Sequence, residues 1–237
     1  MIKIVVSKIK KSNKSKLAVF DIDGTIFRSS LQRELIMALV RYGVFPAIVL
    51  KELEKDYFSW VDRRGSYDDY ILKVVRVYEN RIKGVAVEDV KRVAKLVIKS
   101  QKNRVYTYTR DLIRKIRPTH FLLAISGSPI EIVKEFNRHW RFNAVEAMQF
   151  EIIRGYYTGR VKYLPIFNKR AVVERYLAGL KISPRGSVGV GDSENDASFL
   201  SLVDKPICFN PNNNLYRVAN KNKWPVVVER KDVIYDM

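Results

Sequence analysis

Two aspartates separated by one residue follow an apolar run early in the chain, in the segment LAVFDIDGT. Side chains alternate faces along a strand, so Asp21 and Asp23 point the same way and repel each other. A bound divalent cation is the usual means of keeping two such carboxylates ionised. Asp and Gly are also common turn residues, so this segment alone predicts either a metal-assisted acidic site or an ordinary turn.

A second apolar run ends in small polar residues, in the segment LLAISGSP, residues 122–129. Pro129 is expected to open a helix, with Ser128 as its N-cap. Ser126 and Gly127 then offer a hydroxyl and free N–H groups to a phosphate at the start of that helix. Taken alone, the segment predicts only a capped helix.

Lys169 follows Asn168 at the start of an amphipathic pattern, and Asn168 is the expected N-cap. A cation in the first turn opposes the helix dipole, and a bound anion would remove that local cost. The chain contains 44 Lys and Arg residues, so a single lysine is equally compatible with a solvated surface position.

Two acids follow a short apolar strand in the segment VGVGDSEND, residues 188–196. Asp192 supplies a hard oxygen ligand of the kind that Mg²⁺ prefers. Asp196 comes one helical turn later, and we expect it to orient Lys169 or a metal-bound water. Clustered carboxylates at a strand end are costly without a partner, so this segment favours a functional site.

The apolar runs predict the elements that position these residues. Near-continuous runs at 17–22, 120–125, 187–190, 205–209 and 225–228 are typical of a parallel sheet covered on both faces. The candidate residues Asp21, Ser126 and Asp192 all follow the carboxyl ends of such runs, where open α/β sheets bind ligands.

The chain between Asp23 and Ser126 has helical patterning. We expect helices starting at the apparent capping box of residues 29–32, at Pro46, at Ser66 with Asp69, and at Val87, the last reaching Ser100. Farther on, residues 149–162 predict a hairpin that turns at Arg154-Gly155.

Taken in order, the four segments resemble the haloacid dehalogenase-like hydrolase superfamily. The Ser-Gly-Ser-Pro sequence and the hairpin around Gly155–Gly159 are most similar to its phosphoserine-phosphatase-like subgroup. The resemblance implies an α/β fold, with a Rossmann-like parallel sheet core and a helical cap inserted between the first and second motifs. The implied organisation is a basic N-terminal arm at 1–15, a core at 16–27 and 117–237, and a cap at 28–116.

The resemblance also implies a Mg²⁺-dependent phosphomonoesterase that works through an aspartyl-phosphate. Asp21 would be the nucleophile, and Asp23 would protonate the leaving group and then activate water. Mg²⁺ would bind Asp21, Asp192 and the backbone carbonyl of Asp23. The remaining implied positions are Thr25, Ser126, Gly127 and Lys169 as phosphate-binding residues, and Asp196 and Asn195 as residues that support them.

The substrate side departs from phosphoserine phosphatase. The subgroup has an acidic residue nine positions after the nucleophile to hold an ammonium, and this chain has Ser30 there, with Arg28 nearby. A small anionic phosphorylated substrate is therefore expected. Arg28 is equally compatible with a solvated helix-start residue, and Arg63 and Arg64 are weaker candidates for an anion-binding role.

Composition bounds the remaining alternatives. The formal net charge is +19, and six lysines with no acid fall within residues 1–20. A basic arm of this kind can bind nucleic acid or anionic lipid, or it can be only a solubilising tail. The alternative function is therefore a nucleic-acid-associated binding protein or a nucleic-acid end phosphatase. One cysteine, Cys208, excludes an intramolecular disulfide and fits a cytoplasmic location. No apolar run is long enough to predict a membrane span.

Overall fold

The computed structural model describes residues 13–237, so residues 1–12 of the predicted basic arm lie outside the described part. An eight-stranded sheet runs through the described chain in the order β4-β3-β2-β1-β5-β6-β7-β8. Its strands are β1 (Lys16–Asp21), β2 (His120–Pro129), β3 (Ala144–Ile153), β4 (Tyr156–Tyr163), β5 (Val188–Gly191), β6 (Lys205–Phe209), β7 (Val226–Arg230) and β8 (Val233–Asp236).

The sheet is parallel except at its two edges, where β3 with β4 and β7 with β8 pair antiparallel. Strand β1 lies at the centre, between β2 and β5, and its apolar side chains are fully buried. This confirms the predicted α/β fold with a largely parallel sheet. The register pairs Asp21 with Ile125. The residues after Asp21 and Ile125 therefore lie side by side at the carboxyl ends of the parallel strands.

Five helices lie between β1 and β2. They are α1 (Leu31–Arg41), α2 (Ile48–Val61), α3 (Tyr67–Arg81), α4 (Val87–Gln101) and α5 (Thr107–Ile116). Ser66 and Asp69 form the predicted capping box at the start of α3. The predicted capping box at residues 29–32 is wrong, because Ser30 is the N-cap and Arg33 occupies the third helical position. Helix α2 begins two residues after Pro46, the predicted start.

The helices of this insertion do not form a core separate from that of the sheet. Helices α1 and α4 pack on α6 (Ile130–Trp140), and Phe27 contacts Phe136 with ring centroids 6.0 Å apart. One apolar cluster includes buried residues from the sheet and from the insertion. The assignment of 28–116 as a cap domain therefore stays a proposal.

The predicted hairpin at 149–162 is present and turns at Arg154-Gly155, which have φ values of 50° and 84°. Its first strand is longer than expected, because β3 begins at Ala144 and pairs parallel with β2. The remaining helices are α7 (Lys169–Leu180), α8 (Ala197–Leu200) and α9 (Asn213–Asn222), with short 3₁₀ turns at Pro165–Asn168 and Glu194–Asp196. Among residues 13–237, no helix is long and apolar enough to cross a membrane.

Candidate active site

Lys169 lies between two carboxylates at the carboxyl end of the sheet. Its Nζ is 2.6 Å from Oδ1 of Asp21 and 2.6 Å from Oδ1 of Asp196. The lysine is only 1% exposed, although it occupies the first turn of α7. Asn168 caps that helix by accepting a hydrogen bond from the Ala171 N–H at 3.1 Å, as predicted. The cap fixes the start of α7 and so directs Lys169 to the acids.

The electrostatics of this group favour a charged lysine. Burial lowers the pKa of Lys169, but Asp196 and Asp21 together outweigh burial and raise the pKa above its ordinary value. Burial raises the pKa of Asp21, and the neighbouring carboxylates of Asp196 and Asp23 raise it further. The ammonium of Lys169 acts in the opposite direction and lowers it. The site therefore retains a buried ammonium group.

Asp196 connects Lys169 to the loop after β5. Its second oxygen accepts hydrogen bonds from the backbone N–H groups of Asp192 and Ser193, both at 3.0 Å, and from Ser193 Oγ at 3.1 Å. A β-carbon at Gly191 would lie 2.4 Å from Cβ of Asp196, so only glycine permits this approach. The predicted contact of Asp196 with Lys169 is thus present. Three hydrogen bonds from the loop after β5 hold the Asp196 carboxylate in place.

The Asp23 carboxylate is held by two serines of β2 and by the start of α1. Its Oδ2 accepts hydrogen bonds from Ser126 Oγ and Ser128 Oγ, both at 2.8 Å, and its Oδ1 accepts one from the Leu31 N–H at 2.5 Å. The expectation that Ser128 caps a helix is wrong. Pro129 is the N-cap of α6 without a side-chain cap, and the Ser128 hydroxyl is directed to Asp23 instead.

Burial raises the pKa of Asp23 above its ordinary value, although the donors from Leu31, Ser128 and Ser126 lower it in part. A raised pKa increases the fraction of Asp23 that carries a proton near neutral pH. Burial raises the pKa of Asp21 as well, to about 8, so the partners of the two acids distinguish them: Asp23 is held by neutral donors, and Asp21 is paired with Lys169. Asp21 is better suited to attack, because its Oδ1 contacts the ammonium of Lys169.

Asp192 lies directly against the turn that follows Asp23. A β-carbon at Gly24 would lie 2.1 Å from Oδ2 of Asp192, and Gly24 has a φ of 84°. Both the close approach and the positive φ require glycine there. Thr25 is fully buried, and its hydroxyl is 3.4 Å from Oδ1 of Asp192. The segment at residues 17–25 and the segment at residues 188–196 thus meet at this turn.

The donor set fits a magnesium ion held by two carboxylates. Burial raises the pKa of Asp192, and the neighbouring Asp21 raises it further, so these two acids repel each other. No group of three His, Cys, Asp or Glu side chains in the described part is arranged to hold a metal. The Asp23 side chain accepts hydrogen bonds from Ser126, Ser128 and the Leu31 N–H, so its backbone carbonyl is the group left to bind the metal. Mg²⁺ needs just one or two protein carboxylates, since it keeps several waters.

The other predicted residues are less central. Gly127 lies between the two serines at the end of β2, and a β-carbon there would meet Ile166 at 2.9 Å. Asn195 is exposed, and its carbonyl accepts a hydrogen bond from Ser198 Oγ. Arg28 is exposed and stacks over the Tyr106 ring at 5.4 Å. Arg63 is exposed, and Arg64 pairs with Asp62 on the surface.

Sequence reasoning missed Ser128, Tyr67 and Tyr106 as residues near the acids. Burial raises the pKa of each tyrosine, and Asp192 raises both further. The only available signal was the Ser-Gly-Ser repetition for Ser128. Tyr67 begins α3 and Tyr106 is the N-cap of α5, both outside the four motifs, so their approach to the acids depends on tertiary packing.

Comparison with known proteins agrees with this geometry. A family model described as haloacid dehalogenase-like hydrolase matches residues 18–201. No curated protein matches the chain in a sequence search. A solved structure of a protein of unknown function from Bordetella pertussis Tohama I has a TM-score of 0.70 and 18% identity, covering 90% of this chain and 98% of its own.

Two further solved structures have the same fold. A phospho-aspartyl intermediate analogue of phosphoserine phosphatase has a TM-score of 0.62 and 20% identity, with 93% of this chain and 96% of its own covered. Cytosolic 5'-nucleotidase IIIB bound to cytidine has a TM-score of 0.58 and 15% identity, with 91% and 80% covered. With the family model spanning most of its length, the chain belongs to the haloacid dehalogenase-like hydrolases.

Proposed function

We propose that this hydrolase is a Mg²⁺-dependent phosphatase that cleaves phosphate monoesters through an aspartyl-phosphate on Asp21. The observation that carries the proposal is the buried Lys169, with Nζ 2.6 Å from both Asp21 and Asp196. A buried ammonium beside a carboxylate nucleophile suits attack on a dianion, which would otherwise repel the carboxylate. The name of the similar phospho-aspartyl analogue structure supports the same chemistry.

In the proposed first step, a carboxylate oxygen of Asp21 forms a bond to phosphorus. The bond from phosphorus to the ester oxygen breaks, and the proton on Asp23 passes to that oxygen as the alcohol leaves. Burial raises the pKa of Asp23, and its carboxyl group is held by neutral donors, whereas Asp21 is paired with the ammonium of Lys169. This difference in partners supports Asp23 as the proton donor. Ser126 and Ser128 hold the carboxyl group in a fixed position for that transfer.

In the proposed second step, Asp23 acts as a base. It takes a proton from water, the water oxygen bonds to phosphorus, and the bond between phosphorus and Asp21 breaks. Inorganic phosphate leaves, Asp21 is again a carboxylate, and Asp23 again carries its proton. Dividing one displacement into two steps gives each step a lower activation barrier than the single displacement would have, as in other covalent mechanisms.

Mg²⁺ would be held by Asp21, Asp192 and the Asp23 carbonyl, and when bound it supplies positive charge that stabilises the phosphoryl group. Thr25, Ser126, Gly127 and Lys169 stay the proposed phosphate ligands. The Ser126 hydroxyl can turn to a phosphoryl oxygen while Ser128 still holds Asp23. Asn195 stays a prediction as a supporting residue.

We further propose a small substrate with a second negative group. Ser30 caps α1 by accepting a hydrogen bond from the Arg33 N–H and carries no charge for an ammonium. Arg28 is exposed, and its stacking on Tyr106 limits the conformations of its guanidinium. A guanidinium restrained beside the site suits a carboxylate or a second phosphate on the substrate.

Nucleic acid stays an alternative partner because of the net charge of +19. Most of the predicted basic arm lies outside the described residues. The arm therefore supports neither a small phosphorylated substrate nor a nucleic-acid partner. A cytoplasmic location also stays a prediction from the single cysteine.

The test of the proposed function is a screen of phosphate monoesters with millimolar Mg²⁺, repeated with excess EDTA. We expect turnover that EDTA abolishes and that Asp21→Asn lacks. The panel should include acidic, neutral and ammonium-bearing esters together with a 5'-phosphorylated oligonucleotide. Turnover of the oligonucleotide alone would favour the end-phosphatase alternative, and turnover that is equal with EDTA would contradict the metal dependence.

A further inference from the structure

The amino end of α3 contacts Asn212, which follows β6 and is hydrogen-bonded to the loop that carries Asp192. Asn212 donates a side-chain hydrogen bond to Oδ2 of Asp68 at 3.2 Å, and the Asn212 N–H donates to the Asp192 carbonyl at 2.8 Å. Asp68 is the second residue of α3, so a single residue, Asn212, connects the start of this helix to an acid of the site. Tyr67, the first residue of α3, is therefore placed beside the acidic edge of the sheet.

Tyr67 lies within electrostatic range of two acids of the site. It is half-buried, although its neighbours Ser66 and Asp68 are exposed. Burial raises the pKa of the Tyr67 hydroxyl, and Asp23 and Asp192 raise it further. These two carboxylates follow different strands, Asp23 after β1 and Asp192 after β5. The start of α3, which carries Tyr67, is placed near them by the hydrogen bond from Asn212 to Asp68.

An aromatic cluster holds the Tyr67 ring in this position. The cluster consists of Tyr57, Trp60, Tyr67 and Tyr70 from α2 and α3. The Tyr67 ring centroid is 4.9 Å from that of Trp60 and 6.3 Å from that of Tyr70. Trp60 and Tyr70 are stacked with an interplanar angle of 3°. Tyr67 is therefore backed by other rings and has little freedom to rotate away.

The same cluster is attached to the helix that holds Asp23. Arg33 Nε donates to the Tyr70 hydroxyl at 2.9 Å, and the Arg33 guanidinium lies over the Tyr57 ring at 5.8 Å. Arg33 comes two residues after Leu31, whose N–H donates to Asp23. The cluster is thus connected to the site through Arg33 of α1, and its member Tyr67 adjoins Asp68, which is hydrogen-bonded to Asn212.

We infer that the Tyr67 ring forms the wall against which the leaving group of the substrate binds, so that the site favours phosphate monoesters with a planar aromatic leaving group. The inference rests on the proposed phosphatase function. A rigid aromatic wall close to the proton donor Asp23 contacts the group attached to the ester oxygen, because Asp23 must reach that oxygen. Ring-to-ring contact favours a planar group over a flexible aliphatic group of similar size.

The alternative to a role in substrate binding is that the four rings of the aromatic cluster only pack α2 against α3. It explains Tyr57, Trp60 and Tyr70, which contact one another. It does not explain why the half-buried Tyr67, at the start of α3, lies within electrostatic range of two carboxylates. A purely structural role predicts that changes at Tyr67 alter stability and leave the preference between leaving groups unaltered.

The test compares two inhibitors that cannot be hydrolysed, phenylphosphonate and propylphosphonate, so that leaving-group chemistry does not enter. Their dissociation constants are measured by calorimetry in millimolar Mg²⁺ for the parent, Tyr67→Phe, Tyr67→Leu and the control Tyr42→Ala. Tyr42 is the C-cap residue of α1, is 46% exposed and belongs to no part of the site. Tyr67→Leu keeps an apolar side chain, which limits the risk of unfolding.

We expect the parent and Tyr42→Ala to prefer phenylphosphonate by about tenfold, the scale of one aromatic contact. Tyr67→Phe should keep the preference, and Tyr67→Leu should reduce it to below about twofold. An unchanged preference in Tyr67→Leu, or a parent preference below twofold, would overturn the inference.

Failure of the proposed function would look different. In that case no monoester is turned over, whatever the preference between the two phosphonates. If neither phosphonate binds the parent, the aromatic wall is contradicted as well.

Discussion

The ammonium of Lys169 lies 2.6 Å from the carboxylate of Asp21, and both side chains are almost completely buried. A third charge, on Asp196, lies at the same distance from the lysine. Removing one member of such a buried group leaves the others without a partner. The pair therefore affects the stability of the protein and its proposed chemistry together.

Lys169→Met should lower both activity and stability. The change leaves Asp21 and Asp196 buried without their cation, which costs roughly 3–5 kcal/mol of unfolding free energy for a broken buried pair. Chemical denaturation measures this loss, with the exposed Lys91→Met in α4 as the matched control. A loss no larger than that of the control would contradict the buried ion pair.

Asp21→Asn should abolish turnover while the protein stays folded. An amide is a far weaker nucleophile than a carboxylate and a poorer ligand for Mg²⁺. Circular dichroism checks the fold, and the monoester screen checks activity. Turnover within tenfold of the parent would remove Asp21 from the role of nucleophile.

Millimolar Mg²⁺ should raise the Tm of the parent. A ligand that binds only the folded state stabilises it by about 2.7 kcal/mol at a hundredfold excess over its Kd. Asp192→Ala should lose this response, because it removes one of two carboxylate ligands, and should be no less stable than the parent without metal, because Asp21 loses a repelling neighbour. Scanning calorimetry at several Mg²⁺ concentrations measures both effects. Equal Mg²⁺ shifts in the two proteins would rule out the metal site as described.

Phosphoserine should be a poorer substrate than acidic phosphate monoesters. Ser30 carries no charge for an ammonium, and Arg28 disfavours one. Ser30→Asp should raise kcat/KM for phosphoserine relative to the acidic esters, and because aspartate is also a good N-cap, α1 should remain intact. Arg28→Gln should lower kcat/KM for the acidic esters. A parent that prefers phosphoserine would refute the proposed substrate class.

Ser66→Ala should raise the pKa of the Asp69 carboxyl toward its ordinary value. Ser66 lowers this pKa through its hydroxyl and its backbone N–H, and the substitution removes the hydroxyl donor. A lowered pKa contributes stability above the unfolded pKa and loses it as the pH falls through the folded value. Carbon NMR of the Asp69 carboxyl measures the change. The same pKa in parent and variant would show that the capping box does not form.

The strand ends were predictable because each is a run of apolar residues followed by polar ones. That pattern located Asp21, Asp192 and Ser126 at one edge, and the Asn168 cap located Lys169. The start of α1 was mispredicted because serine occurs at both 29 and 30, and sequence alone does not choose between them.

Long-range hydrogen bonds were not predictable. Ser128 donates to Asp23 across 105 residues, and no local pattern encodes that partner. The start of α5 is another case, because its cap is the Glu229 carboxylate, which accepts from the Thr107 and Tyr108 N–H groups at 3.0 and 2.8 Å. Strand β8 was missed because its apolar run, Val233-Ile234-Tyr235, has only three residues and is shorter than the runs used to find the parallel strands.

The central place of β1 in the sheet has a consequence for the order of synthesis. Its neighbour β2 begins 99 residues after Asp21, at His120, and β5 begins 167 residues after it, at Val188. At roughly 5–20 residues per second, a ribosome needs about 10–30 s to add β5. During that interval an apolar strand has no native partner on at least one side. The segment that carries the proposed nucleophile is therefore the one most in need of protection from wrong pairing while the chain emerges.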